Sequence, residues 1–313
     1  MKRQTLAVIG AGLIGWAVFG DIVIPQPLKR WVSPLAANEN HQAEALRPII
    51  DCLNYADGHW RRAYEQYRKR TSGDDTASQA QTLPGPQLSL TDYHEKRPGL
   101  CMFNDAQNKA VKRYLPQLFE LQRRYADQLV EVYVQSQKFD FYPDSTAAAL
   151  NAAERVASDA RFFPLAQSLI NTSNELRAAV DQADRRIRLE QLAQLQARGK
   201  QQLALVPQWI LQTRDTTSTL NRLEPHQLAE ALDSLQSAWD STRQALRQPD
   251  PQAVRLWKQI EQPGNDYLLA LQQFSQHQQE HAGAAQRDID YAETLRRFNL
   301  LVDTYNQAVR DDF

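Results

Sequence analysis

Residues 41–70 read HQAEALRPIIDCLNYADGHWRRAYEQYRKR. Within them Leu46, Ile49, Ile50, Leu53, Ala56, Trp60, Ala63, Tyr64 and Tyr67 recur at steps of three and four, the spacing that gathers side chains on one face of an α-helix. The pattern predicts one amphipathic helix over the whole stretch. Pro48 falls in its first turns, where a missing N–H does least harm.

The rest of the body carries the same signal. A second stripe from Asn104 to Lys138 runs through Val111, Tyr114, Leu118, Tyr125, Leu129 and Val132, and Pro116 should kink that helix because it removes a donor and clashes one turn back. Asp140 to Asp144 (DFYPD) reads as a turn. Ser145 to Thr213 reads as helix, with breaks expected at Pro164 and Pro207. Pro225 and Pro251 have the look of first-turn prolines, the latter capped by Asp250. Leu295, Phe298, Val302, Tyr305 and Val309 mark a seven-residue repeat in the closing helix. Only 11 glycines occur in 313 residues, which is poor in the turn chemistry of β-rich folds. The expected fold is all-α: an elongated bundle of long, partly kinked helices. Thr71 to Asp92 (TSGDDTASQAQTLPGPQLSLTD) breaks the pattern and reads as a long connection, either an unstructured excursion or a docking site.

The N-terminus bears on the compartment. Leu6 to Gly20 is uncharged, and Thr5 to Ile24 carries one charge, Asp21, over about the length needed to cross a bilayer. Lys2 and Arg3 precede it, and Val18-Phe19-Gly20 offers small residues at a signal-peptidase site. An uncleaved anchor and a cleaved signal both fit, and both send the body out of the cytoplasm. The expected location is the bacterial inner membrane facing the periplasm, or the periplasm itself. Lys29 and Arg30 beyond the run weaken any orientation argument from charge. Residues 1–37 are therefore read as signal anchor and short linker, and residues 38–313 as the helical bundle, one large domain or two closely packed halves.

Several chemistries can be weighed against this frame. Gly10, Gly12 and Gly15 match G-x-G-x-x-G, but Pro25 and Pro27 follow too soon. Arg30 also stands where the ribose-binding acid belongs, so no dinucleotide cofactor is expected. Lys and Arg (36) balance Asp and Glu (37), which leaves no electrostatic case for nucleic acid. His277, Glu280 and His281 match H-x-x-E-H, in which two imidazoles on one helical face hold zinc and the glutamate activates water. They lie in a Gln-rich run that suits a solvated face, and the acids after them form no third-ligand motif. They stand as metal candidates only, and no catalytic residue or cofactor is assigned. Cys52 and Cys101 either pair, closing a loop around residues 71–92, or remain two buried thiols. Neither lies at the end of the apolar run, as a lipid anchor would require. Phe139, Phe141, Tyr142, Phe162 and Phe163 either plug the end of a core or line a ligand groove. Asn299 and Asn306, seven apart on one flank of the last helix, are either buried amides that fix register or solvated positions.

LNYADGHWRRAYEQY (residues 53–67), the polar linker, a Lys- and Tyr-containing second helix, STAAALNAAERVASDARFF (residues 145–163) and FNLLVDTYN (residues 298–306) together resemble the DUF3829 family of YiiG-like bacterial exported proteins. The resemblance covers most of residues 39–313 and implies export and an all-helical body. It supplies no catalytic residues, and the missing lipobox cysteine departs from the family's frequent lipoprotein signal. The chain is thus expected to be a non-enzymatic binding or scaffold protein, contacting the inner membrane through residues 5–24 and an envelope protein or small ligand through its bundle. A sensor ectodomain and a zinc-dependent hydrolase are the alternatives.

Overall fold

The computed structural model describes residues 28, 41–71, 101–139, 141, 150–246, 250–280 and 283–312. The apolar run at 5–24, the glycine fingerprint at 10–15, the connection at 72–92, most of the DFYPD turn and His281 lie outside the described residues. Among those described, every regular element is helical and no strand occurs. No described helix is long and apolar enough to cross a membrane.

The elements are α1 (His41–Cys52), a π-helical turn (Leu53–Asp57), α2 (Gly58–Thr71), α3 (Asp105–Tyr114), α4 (Pro116–Ser136), α5 (Ala152–Ala197), α6 (Gln201–Thr217), α7 (Pro225–Ala245), α8 (Pro251–Gln279) and α9 (Ala284–Asp312). The stripe of residues 41–70 is buried as expected, from Leu46 and Ile49 to Trp60, Tyr64 and Tyr67. It is not one uniform helix, however, because the ladder widens to a π-turn over Leu53–Asp57.

Contacts divide the chain into two units. The first comprises residues 1–28 and 47–180, the second residues 29–46 and 181–313. In the first unit α2 and the opening half of α5 share an aromatic core. Tyr67 packs on Phe139 and Phe141 with ring centroids 5.4 and 5.2 Å away, and Phe162 closes on both phenylalanines at 5.2 Å. Arg70 donates to the Phe141 carbonyl at 2.5 Å, anchoring the chain beyond α4. Phe139, Phe141 and Phe162 are thus core residues. Tyr142 lies outside the described residues, and Phe163 is half-buried.

In the second unit Trp209 of α6, Trp239 of α7 and Trp257 of α8 pack in series with their rings tilted by 47° and 39° and centroids 4.3 and 4.2 Å apart. Each of the first two has a polar end to satisfy. Trp209 donates to the Leu235 carbonyl at 3.1 Å and Trp239 to Asn265 Oδ1 at 3.0 Å. The heptad of α9 is buried, Val302, Tyr305 and Val309 all but completely, and α9 packs against α8.

Proline and glycine positions correct the expected boundaries. Pro116 does not kink a continuous helix but divides two. Leu115 adopts φ −137°, ψ 52°, outside the helical region that a residue before proline avoids, and Pro116 opens α4. Pro164 and Pro207 break nothing; α5 and α6 run through them. Pro164 is exposed, so the carbonyl it leaves without a partner one turn back, on exposed Ala160, can turn to water. The actual break is at Gly199, which sits at φ +73°. Gly199 N–H donates to Gln196 C=O and Lys200 N–H to Leu195 C=O, each at 3.0 Å, the paired bonds of a Schellman stop. Pro225 and Pro251 do open α7 and α8, and Asp250 accepts from Gln252 N–H at 2.9 Å.

Gly264 is where a missing side chain matters most, because a Cβ there would lie 2.3 Å from the Trp239 ring. Gly264→Ala should destabilise the protein by about 1–3 kcal/mol in urea unfolding, through overpacking. Gly58→Ala, whose Cβ meets nothing within 4 Å, should stabilise by up to ~1 kcal/mol.

Candidate functional site

The π-turn concentrates polar chemistry inside the first unit. Wider turns of this kind are rare and cluster at functional positions. Cys52, immediately before it, is bonded to Cys101 with the two Cα atoms 4.9 Å apart, and both residues are buried. The bond joins the α1 end to the chain entering α3, and Gln122 of α4 donates to the Cys101 carbonyl at 3.1 Å. Arg177 of α5 donates to the Leu53 carbonyl at 2.6 Å.

Asp57 closes the turn and is fully buried. Arg61, one turn on, donates through Nε at 3.1 Å, while Arg177 donates through Nε at 3.0 Å and Nη2 at 2.8 Å. Two buried guanidiniums therefore share one carboxylate. The excess positive charge is spread over neutral acceptors: Arg61 Nη2 reaches Asn174 Oδ1 at 2.8 Å and the Ile170 carbonyl at 3.3 Å. With its oxygens taken up by fixed donors, Asp57 is the shared counterion of both arginines. Nearby, Tyr67 donates to Asp159 at 2.5 Å. Burial pushes the Tyr64 phenol up to about 12, and burial with the Asp159 bond pushes Tyr67 higher still, so both rings stay neutral hydrogen-bonding groups.

The second unit repeats the device. Asp184, buried, accepts from Arg188 one turn on at 3.0 Å and from Arg214 of α6 at 2.6 Å, and Arg214 also pairs with Asp181. Arg188 in turn donates to Gln191 Oε1 at 3.0 Å.

The residues singled out in the sequence fall as follows. His277 Nδ1 lies 2.7 Å from Asp290 Oδ2, and Gln286 donates to the other oxygen of Asp290 at 2.9 Å. Glu280 is held by Gln276 at 2.8 Å, and His281 lies outside the described residues. Among the described residues no group of three or more His, Cys, Asp or Glu side chains is placed to hold a metal. Asn306 is buried in the α9 seam and Asn299 is half-buried on the same helix.

Asp57, Arg61, Arg177 and Asn54 were not singled out by sequence. The available signal was position: Asp57 and Arg61 fall at the spacing of the stripe itself, between Leu53 and Tyr64, where a solvated face would not place charge.

Asp57→Asn should destabilise by about 3–5 kcal/mol in denaturant unfolding, because two guanidiniums lose their buried counterion. Lys69→Ala, which removes an exposed pair with Glu65, should change stability by no more than about 0.5 kcal/mol. Replacing Cys52 and Cys101 together by alanine should remove about 2–4 kcal/mol, measured as a lowered urea midpoint. No family model matches the chain, and no curated protein or solved structure matches it.

Proposed function

We propose that the chain is an exported, non-catalytic helical protein, held at the bacterial inner membrane by residues 5–24 or released into the periplasm, that presents its helices to an envelope protein or small ligand. The observation that carries this reading is the buried Cys52–Cys101 bond. Structural disulfides persist in oxidising compartments and are rare in the cytosol, which agrees with the apolar run ahead of the body. The composition of buried charge points the same way. Asp57, Arg61, Arg177, Asp184, Arg188 and Arg214 pair with one another inside the two units, an arrangement that specifies packing. The DUF3829 resemblance of residues 53–67 and 298–306 belongs to the same proposal.

Two measurements test it. Protein taken from intact cells under thiol-blocking conditions should show Cys52 and Cys101 unmodified until a reductant is added under denaturing conditions. Extensive labelling before reduction would place the chain in a reducing compartment and contradict the reading. Crosslinking in intact cells should capture an envelope component, and capture of cytosolic proteins alone would contradict it equally.

A further inference from the structure

Asn54 lies inside the π-turn and grips a residue far from it in sequence. Leu28 N–H donates to Asn54 Oδ1 at 2.6 Å, and Asn54 Nδ2 donates to the Leu28 carbonyl at 2.6 Å. A primary amide carries a donor and an acceptor side by side, so it can satisfy both backbone groups of one residue as a neighbouring strand would. Such a grip reads backbone, and it needs a fixed amide. Here Cys52 is bonded two residues earlier, Arg177 holds the Leu53 carbonyl, and Asp57 is pinned three residues later.

We propose that Asn54 is a docking clamp tying the chain that leaves the apolar run to the first unit, and that the surface around Asn54 consequently lies against lipid headgroups. Leu28 lies four positions beyond Ile24, and four steps of chain reach at most about 14 Å. The headgroup layer on each side of the hydrocarbon core is itself about 5–8 Å thick. A clamped Leu28 therefore keeps the π-turn close to the membrane. The membrane half of this inference rests on the reading of residues 5–24 as an anchor; the clamp does not.

The test uses the full chain in vesicles of phosphatidylethanolamine and phosphatidylglycerol. Hydrogen exchange reads the clamp: Asn54→Ala should speed exchange of the Leu28 amide about tenfold, and Asn54→Asp, which keeps the acceptor, should speed it less. An unchanged Leu28 rate in Asn54→Ala would overturn the clamp. A photo-crosslinking residue at position 58, where an added Cβ meets nothing within 4 Å, reads the membrane. Lipid adducts should form there and fall severalfold when Asn54→Ala is added, while vesicle sedimentation stays the same. Sedimentation without adducts would overturn the headgroup contact alone. Failure to sediment at all would overturn the anchor reading and the headgroup contact with it, leaving the clamp to be decided by the exchange rates.

Discussion

The first unit depends on one carboxylate being shared by two guanidiniums. Asp57 is fully buried, and its removal from water is compensated only because Arg61 from the same helical run and Arg177 from α5 both donate to it. That requirement sets the register between the two stretches of chain. Slipping α5 by one residue would turn Arg177 away by about 100° and leave a charge uncompensated in the core. The π-turn is the local solution. It places Asp57 inside, presents the Leu53 carbonyl to Arg177, and carries the neighbouring Cys52 to its bond with Cys101. Long-range constraints to residues 28, 101, 170, 174 and 177 thus meet within ten residues of chain.

The second unit solves the same problem with the same parts. Asp184 and Arg188 stand one turn apart, as Asp57 and Arg61 do, and Arg214 takes the place that Arg177 fills in the first unit. The apolar fillings differ. Phe162 meets Tyr67, Phe139 and Phe141 edge to face, whereas three tilted tryptophans pack in series through Trp239, whose ring leaves no room for a side chain at Gly264. Apolar area supplies the bulk of the driving force in each unit, and the buried ion cluster selects one packing among those the apolar stripes would permit.

Helicity was legible in residues 41–70 because periodicity reports directly on which face is buried, and the heptad of α9 was legible for the same reason. Boundaries were harder. A proline removes one hydrogen bond and introduces one clash, and whether that ends a helix depends on what surrounds the freed carbonyl. At Pro164 the exposed position lets water serve, while at Pro116 the preceding Leu115 leaves helical geometry. Gly199 ended α5 by adopting a conformation that no composition window distinguishes from an ordinary loop glycine. The polar site was legible only in outline. Cys52 and Cys101 could be named, and so could the apolar stripe on which Asp57 and Arg61 stand. Arg177 lies 120 residues from Asp57, and a pairing that distant leaves no local trace in a single sequence. In the H-x-x-E-H stretch His277 pairs with Asp290 on α9, a contact that the motif's spacing does not announce.

The central claim is that Asp57 and Arg177 act as one coupled element. A double-mutant cycle in urea, comparing Asp57→Asn, Arg177→Met and the double variant, measures that coupling directly. The account predicts a coupling energy of about 2 kcal/mol or more, with the double variant more stable than the two single losses would sum to. Losses that add to within about 0.5 kcal/mol would contradict it.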